Sequence, residues 1–335
     1  MARVMKGAFV MYGITELKPD LKVTDIKVSC PVLECRQEVK RQRHSFTRHP
    51  DFRCPDHGIF ISPSTFEYTS DKDNILWDFD LLAGHKGSKR ESRIARDNSE
   101  DALTWNIFRF LERRELLIPY LSGMAGMPIK RADVIYWSHH RETGKPWATL
   151  WEARKIFERD PSKGSEPDLI VVTDKVLFLI EAKLMATNKT PSKKVLDPTP
   201  YKKAYTSGGD GWFAKVFRME GTADEAFACI SFKDRLYELM RFWLLGTWMA
   251  KKLNLNFRLV NLVCGANETD IVQRFGRHIV RDSSRDFMRL TWEEIYSFIK
   301  AEAPAGGEKD MAMKYMEQKS TGYGADRKIR KAFIV

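Results

Sequence analysis

The sequence predicts a mixed α/β fold, a central sheet flanked by helices, with a small metal-binding module ahead of it. Three observations carry that prediction. Short apolar runs rich in Val, Ile, Leu and Phe stand at 168–172, 175–184 and 257–264, the length and composition of buried strands. Apolar residues at helical spacing lie before and between them: Leu103, Ile107, Phe110 and Leu111, then Leu236, Leu239, Met240, Trp243, Leu244 and Trp248. Three of the five cysteines cluster within 30–54.

The 335 residues suit two units, or one large domain with an appendage. Hydrophobic residues at 43% and aromatics at 12% exclude a disordered, collagen-like or low-complexity chain. Fifty-six Lys and Arg against forty-five Asp and Glu leave a charge of +11, which favours polyanionic partners. Met1–Tyr12 carries a short apolar patch, but the following residues offer no small-residue cleavage site, so the expected location is cytoplasmic. The apolar stretch 242–250 is less than half of what a membrane crossing needs, and no membrane partner is expected. An odd cysteine count without an export signal favours metal ligation or buried thiols over disulfides.

These features divide the chain into a module at 1–75, a main domain at 76–300, and a linker with a basic tail at 301–335, where Arg327, Lys328, Arg330 and Lys331 gather. Ser99 caps a helix that the apolar spacing carries to about Leu117, where Pro119 stops it. Residues 132–137 and 147–152, flanking a turn with Gly144 and Pro146, read as a hairpin. The prolines, glycines and lysines of 187–211 argue for a long irregular loop. A helix follows over 234–253, a strand over 257–264, a strand ending near Leu290, and a helix from Thr291 to about Lys300.

The most informative pattern is Glu166-Pro167-Asp168 followed by Glu181-Ala182-Lys183. Alternation along the second strand puts Glu181 and Lys183 on one face and Val176, Phe178, Ile180 and Ala182 on the other. A two-residue hairpin loop at Thr173-Asp174 would pair Asp168 with Leu179, on the face of Glu181 and diagonal to it. Two convergent carboxylates are hard oxygen ligands suited to Mg²⁺ or Mn²⁺, and a lysine beside them can stabilise charge developing on phosphorus. An ordinary strand ion pair between Glu181 and Lys183 would leave Asp168 without a role.

Over roughly 98–264, this set resembles the PD-(D/E)XK nuclease superfamily, the restriction-endonuclease-like fold. The order of helix, three strands (around Glu152, Asp168 and Glu181), helix and strand is similar to that family's αβββαβ core. The resemblance implies Asp168 and Glu181 as Mg²⁺ ligands, Lys183 as the catalytic lysine, and Glu100 as an additional acid near the metal. It implies a Mg²⁺-dependent endonuclease on double-stranded DNA, in restriction or other defence against foreign DNA, with a repair or recombination nuclease as the alternative. A homodimer and partner proteins of a defence system are compatible with it.

In the N-terminal module, Cys30-x₄-Cys35 and Cys54-x₂-His57 form two ligand pairs close to a Cys₃His structural zinc site. The module resembles a zinc ribbon, with a first gap of four residues where ribbons usually have two, and His44 and His49 are substitute ligands. Between the pairs, Arg36, Lys40, Arg41, Arg43, Arg48 and Arg53 face only Glu38 and Asp51, which favours phosphate contact. Phe46 and Phe52 are assigned to the module's core. Arg41, Arg43, Lys89, Arg90, Arg93, Lys193 and Lys194 are the candidate nucleic-acid contacts. The rival reading is a non-catalytic, zinc-dependent nucleic-acid-binding protein.

Other signals carry less. His139-His140 reads as a surface turn, Cys229 and Cys264 as isolated buried thiols, and Gly208–Gly211 lacks the Lys-Ser/Thr of a phosphate loop. Arg235 and Tyr237, early on the 234–253 helix, are candidates for a cleft.

Overall fold

A computed structural model describes residues 13, 15–44, 46–85, 93–140, 143–162, 164–189 and 199–335. The chain forms two compact units: residues 1–114 with 293–335, and residues 115–292. The expected boundaries fell near 75 and 300, so the capped helix after Ser99 belongs with the N-terminal module. Among the described residues, no helix is long and apolar enough to cross a membrane.

The first unit begins with strands too short to bury a sheet: β1 (Lys27–Ser29), β2 (Glu38–Lys40), β3 (Phe60–Ile61) and β4 (Phe66–Glu67), paired β1 with β2 and β3 with β4. Helix α1 spans Phe79–His85 and α2 Glu100–Arg113, where the Ser99 side chain accepts from the Ala102 N–H at 3.2 Å. The helix stops four residues before the expected end. Pro119 lies inside the next helix, where its missing N–H falls in the first turn and costs nothing.

The second unit runs α3 (Leu117–Ala125), β5 (Ala132–Tyr136), β6 (His139–His140), α4 (Ala148–Phe157), β7 (Leu169–Thr173), β8 (Val176–Ala182), α5 (Thr199–Val216), α6 (Ala223–Ala228), α7 (Tyr237–Leu253), β9 (Asn256–Val263), α8 (Ile271–Gly276) and β10 (Arg285–Thr291). Its six strands make one mixed sheet in the order β10-β9-β8-β7-β5-β6. Strands β5, β7 and β8 form an antiparallel meander, and β8, β9 and β10 run parallel. All seven residues of β8 are buried. Helix α7 lies on the sheet beside Leu177, Leu179, Phe257 and Leu259, and Gly246 allows the approach: a Cβ there would meet the Phe257 ring at 2.1 Å.

Two expectations fail here for one reason. Residues 148–157 are helical, not a strand, because Leu150, Ala153, Arg154 and Phe157 are buried at a spacing of three and four. The second half of the expected 187–211 loop is likewise helical, kinked where Gly209, Asp210 and Gly211 take left-handed backbone angles. Tyr205, Phe213 and Val216 hold it on the core. Residues 190–198 lie outside the described residues.

The approach to β7 is pinned by buried charge. Arg241 of α7 pairs with Glu158 and donates to the Ser165 carbonyl at 2.5 Å, while Arg154 pairs with Glu166 at 2.9 Å. Arg154, Glu158 and Arg241 are all buried. Removing one partner of such a network strands the other's charge, so Arg241→Met should destabilise the second unit by about 3–5 kcal/mol, measured by urea unfolding.

The chain then returns to the first unit through α9 (Trp292–Glu302), α10 (Gly307–Gln318), β11 (Ser320–Tyr323) and β12 (Ile329–Lys331). The expected linker and basic tail is folded structure, because Ala312, Tyr315, Met316 and Tyr323 supply apolar surface that must be buried. Lys319 is fully buried and donates to Tyr315 Oη at 2.8 Å and Asn74 Oδ1 at 2.9 Å. Burial pushes its ammonium down from 10.5 to about 8, with Asp97 opposing. The folded state therefore gives up this proton first, and stability should rise between pH 8 and pH 10 by about 2–3 kcal/mol. In Lys319→Met that increment should be missing from a pH series of denaturant unfolding, whatever the variant's absolute stability.

Candidate active site and candidate metal centre

The turn between β7 and β8 sets the site. Its two central residues are Asp174 and Lys175, one position later than expected, and the Thr173 hydroxyl closes it by accepting the Val176 N–H at 2.7 Å and donating to the Val176 carbonyl at 2.8 Å. Val172 consequently pairs with Leu177 and Leu169 with Ile180. One step further along this register, Asp168 stands across from Glu181 rather than diagonal to it. A two-residue loop keeps the parity of the pairing wherever it sits, so the shared face survives the shift. Asp168 Oδ2 accepts the Ala182 N–H at 2.9 Å, which fixes that carboxylate at the end of β8.

Lys183 follows β8, its backbone N–H donating to the Leu262 carbonyl at 2.8 Å. Its ammonium pairs with Glu181 and reaches Glu238 Oε2 at 3.8 Å. The second unit thus brings together Asp168, Glu181, Lys183 and Glu238. Burial holds the Glu181 carboxyl well above the usual carboxylate range; Lys183 opposes this, while Asp168 and Glu238 add to it. Glu181 is 4% exposed, and its Oε2 has no hydrogen-bond partner among the described residues. A buried oxygen of this kind is costly unless a cation meets it. Asp168, Glu181 and Glu238 thus gather negative charge around the single ammonium of Lys183 at the end of β8.

The sequence points to Arg235 and Tyr237 at this end of the helix and not to Glu238. Its signal was its place on α7, four residues before the buried Phe242 and seven before the buried Leu245, at the border of the apolar stripe. Tyr237 instead shares a hydrogen bond with Tyr205, their hydroxyls 2.8 Å apart, and Arg235 takes a left-handed backbone with φ of 61° ahead of α7. Glu166 is drawn off to Arg154. Glu100 is the first residue of α2, in the first unit.

In the first unit, Cys30, Cys35, Cys54 and His57 place their ligand atoms within 4.8 Å of one another. Cys35 Sγ lies 3.7 Å from Cys54 Sγ, and His57 Nδ1 lies 3.7 Å from Cys54 Sγ and 3.8 Å from Cys30 Sγ. Tetrahedral ligation at about 2.3 Å for Zn–S and about 2.0 Å for Zn–N requires edges of about 3.5–3.8 Å. The four residues can hold a metal such as zinc, and all five cysteines are free thiols. The hydrogen bond from Cys30 lowers the Cys54 thiol to about 5, against burial and with help from His57; the same contact raises Cys30. Local structure builds the knuckle. Gly58 turns the chain after His57 at φ +70°, donating to the Cys54 carbonyl at 2.8 Å. Lys18 Nζ ties the other loop by donating to the carbonyls of Cys30 at 2.8 Å and Cys35 at 2.5 Å. The four-residue gap is absorbed by a turn in which the Cys35 N–H donates to Val32 at 3.1 Å. His49 accepts from the Asp51 N–H instead, and neither His44 nor His49 joins the ligand set.

The candidate nucleic-acid contacts are more dispersed. Arg41 and Arg43 donate to the carbonyls of Thr24 at 3.1 Å and Asp25 at 2.7 Å. Arg93 lines a cleft of about 540 Å³ with Phe46, Arg48, Glu67 and Arg96. There Glu67 takes up both Arg48 and Arg96, and the Arg96 guanidinium lies 5.5 Å from the centre of the Phe46 ring. Phe46 and Phe52 are half-buried and outside the module's core, which Val28, Val39, Ile59, Ile61, Phe66 and Tyr68 form. Lys89, Arg90, Lys193 and Lys194 lie outside the described residues.

Set against protein-family models, curated proteins and solved structures, the chain matches none of them.

Proposed function

We propose that the second unit is a Mg²⁺- or Mn²⁺-dependent phosphodiesterase, an endonuclease acting on duplex DNA. The observation that carries this reading is the buried Glu181 oxygen, without a hydrogen-bond partner among the described residues, within the cluster of Asp168, Lys183 and Glu238. Asp168 and Glu181 would hold the ion, which when bound supplies charge neutralisation at a phosphate and a more acidic water. Asp168 is oriented for this by the Ala182 N–H. Lys183 brings a positive charge to the same point, held between two carboxylates so that it needs no reorganisation when negative charge builds on the phosphate. The cluster lies where β8 ends and α7 begins.

The net charge of +11 suits a polyanionic substrate, and the Cys₃His module suits a recognition role on it. The family resemblance favours cleavage of foreign DNA as the biological setting, with duplex cutting by a homodimer or alongside partner proteins. Incubation of supercoiled plasmid with the full chain and Mg²⁺ tests the reading: nicked and linear products should appear and EDTA should prevent them. Retention of plasmid on the protein without any cutting, in Mg²⁺ and in Mn²⁺, would favour the non-catalytic binder instead.

A further inference from the structure

The geometry points to a second transition-metal site in the second unit, formed by Cys229, Asp234 and His278, independent of the carboxylate cluster. Their ligand atoms lie within 4.8 Å of one another. Cys229, which the sequence marks as an isolated buried thiol, is half-buried and has two ligand-type neighbours. One soft thiolate, one imidazole and one carboxylate is a donor set for Zn²⁺ or a similar borderline ion, not for Mg²⁺. Three protein ligands leave a fourth position to water.

The backbone builds the site from two distant segments. Cys229–Lys233 form a π-helical turn, closed by the Asp234 N–H donating to the Cys229 carbonyl at 3.0 Å. In an α-helix, residues five apart point about 140° apart around the axis. A π turn bonds residue i to i+5 and brings them to one side, and such turns concentrate at functional sites. His278 arrives from beyond α8, its carbonyl accepting the Arg218 N–H at 2.8 Å, with Phe217 and Ile279 bridged beside it. Its Nε2 lies 2.6 Å from Asp234 Oδ2, and both side chains are 13% exposed.

Arg277 is the competitor. Its guanidinium pairs with Asp234, and its Nε lies 3.3 Å from His278 Nε2. That side chain is 59% exposed, so it can swing into solvent when a dication takes Asp234. On binding, the Cys229 thiol gives its proton to the buffer and the sulfur becomes a thiolate ligand; no oxidation state changes. The ion would then fasten the start of α7 to the segment after α8.

Cobalt(II) is the probe, added under reducing conditions to the zinc-loaded full chain. The wild type should develop a thiolate-to-cobalt charge-transfer band in the near ultraviolet that saturates at one cobalt per chain, beyond any ion held by the carboxylate cluster. Cys229→Ser should lose that band, and Cys229→Ser and His278→Gln should each weaken uptake by about tenfold or more. Arg277→Ala should tighten it severalfold, a gain that misfolding cannot produce. Glu181→Gln should leave the band unchanged, which separates this site from the proposed nuclease centre. Absence of a new band in the wild type, or an equal band in Cys229→Ser, would overturn the site.

Discussion

Glu181→Gln should leave supercoiled plasmid essentially intact under conditions where the wild-type chain with Mg²⁺ cuts it, a loss of about 10²–10³-fold in rate. Glutamine keeps the shape of the side chain and removes the negative charge, so it abolishes the main ligand without opening a cavity. It also removes a buried carboxylate whose Oε2 has no hydrogen-bond partner among the described residues. Lys183 keeps Glu238 as a partner in the variant, so a thermal midpoint near that of the wild type would distinguish lost chemistry from lost folding. Lys183→Ala should reduce cutting on the same scale, whereas plasmid retention by both variants should stay near wild type. Glu238→Gln belongs in the same series, since Glu238 faces the same ammonium at 3.8 Å. Wild-type cutting rates in both Glu181→Gln and Lys183→Ala would end the nuclease reading.

Cys54→Ser should remove tightly held zinc from the first unit and unfold its N-terminal part. After exchange into a weak chelator, the wild type should retain about one zinc per chain by elemental analysis and the variant almost none. The effect is large because the apolar core there is small. Strands of two and three residues pair around Val28, Val39, Ile59, Ile61, Phe66 and Tyr68, and structural zinc in modules of this size contributes about 10–16 kcal/mol of apparent binding energy. Limited proteolysis should then cleave Cys54→Ser within 15–75 while the wild type resists. A variant that keeps its zinc and its resistance would remove Cys54 from the ligand set.

Much of the candidate site was legible because it rests on short-range geometry. The face shared by Asp168, Glu181 and Lys183 follows from strand alternation and an even loop, and an error of one residue in placing the turn did not disturb it. Cys54-x₂-His57 was legible for a similar reason: a knuckle turn with Gly58 after it brings the two ligands together locally. Periodicity misled where it was sampled too briefly. Trp147–Glu152 read as a strand within six residues, although Leu150, Ala153, Arg154 and Phe157 reveal a helix once the window extends. The tail reading of 301–335 failed because charge at Arg327–Lys331 masked the apolar residues Tyr315, Met316 and Tyr323 that bury it.

The sequence by itself determined which strands would be buried, which face of β8 would carry charge, and which cysteines would meet, since each depends on spacing along one segment. Tertiary structure decided that Glu238 joins Lys183, that Arg241 secures the approach to Asp168, and that His278 reaches Cys229 and Asp234. Those contacts join residues between 44 and 83 positions apart, and only the packing of helices on the sheet sets distances across such separations. Periodicity names the face of an element; it does not name what packs against it.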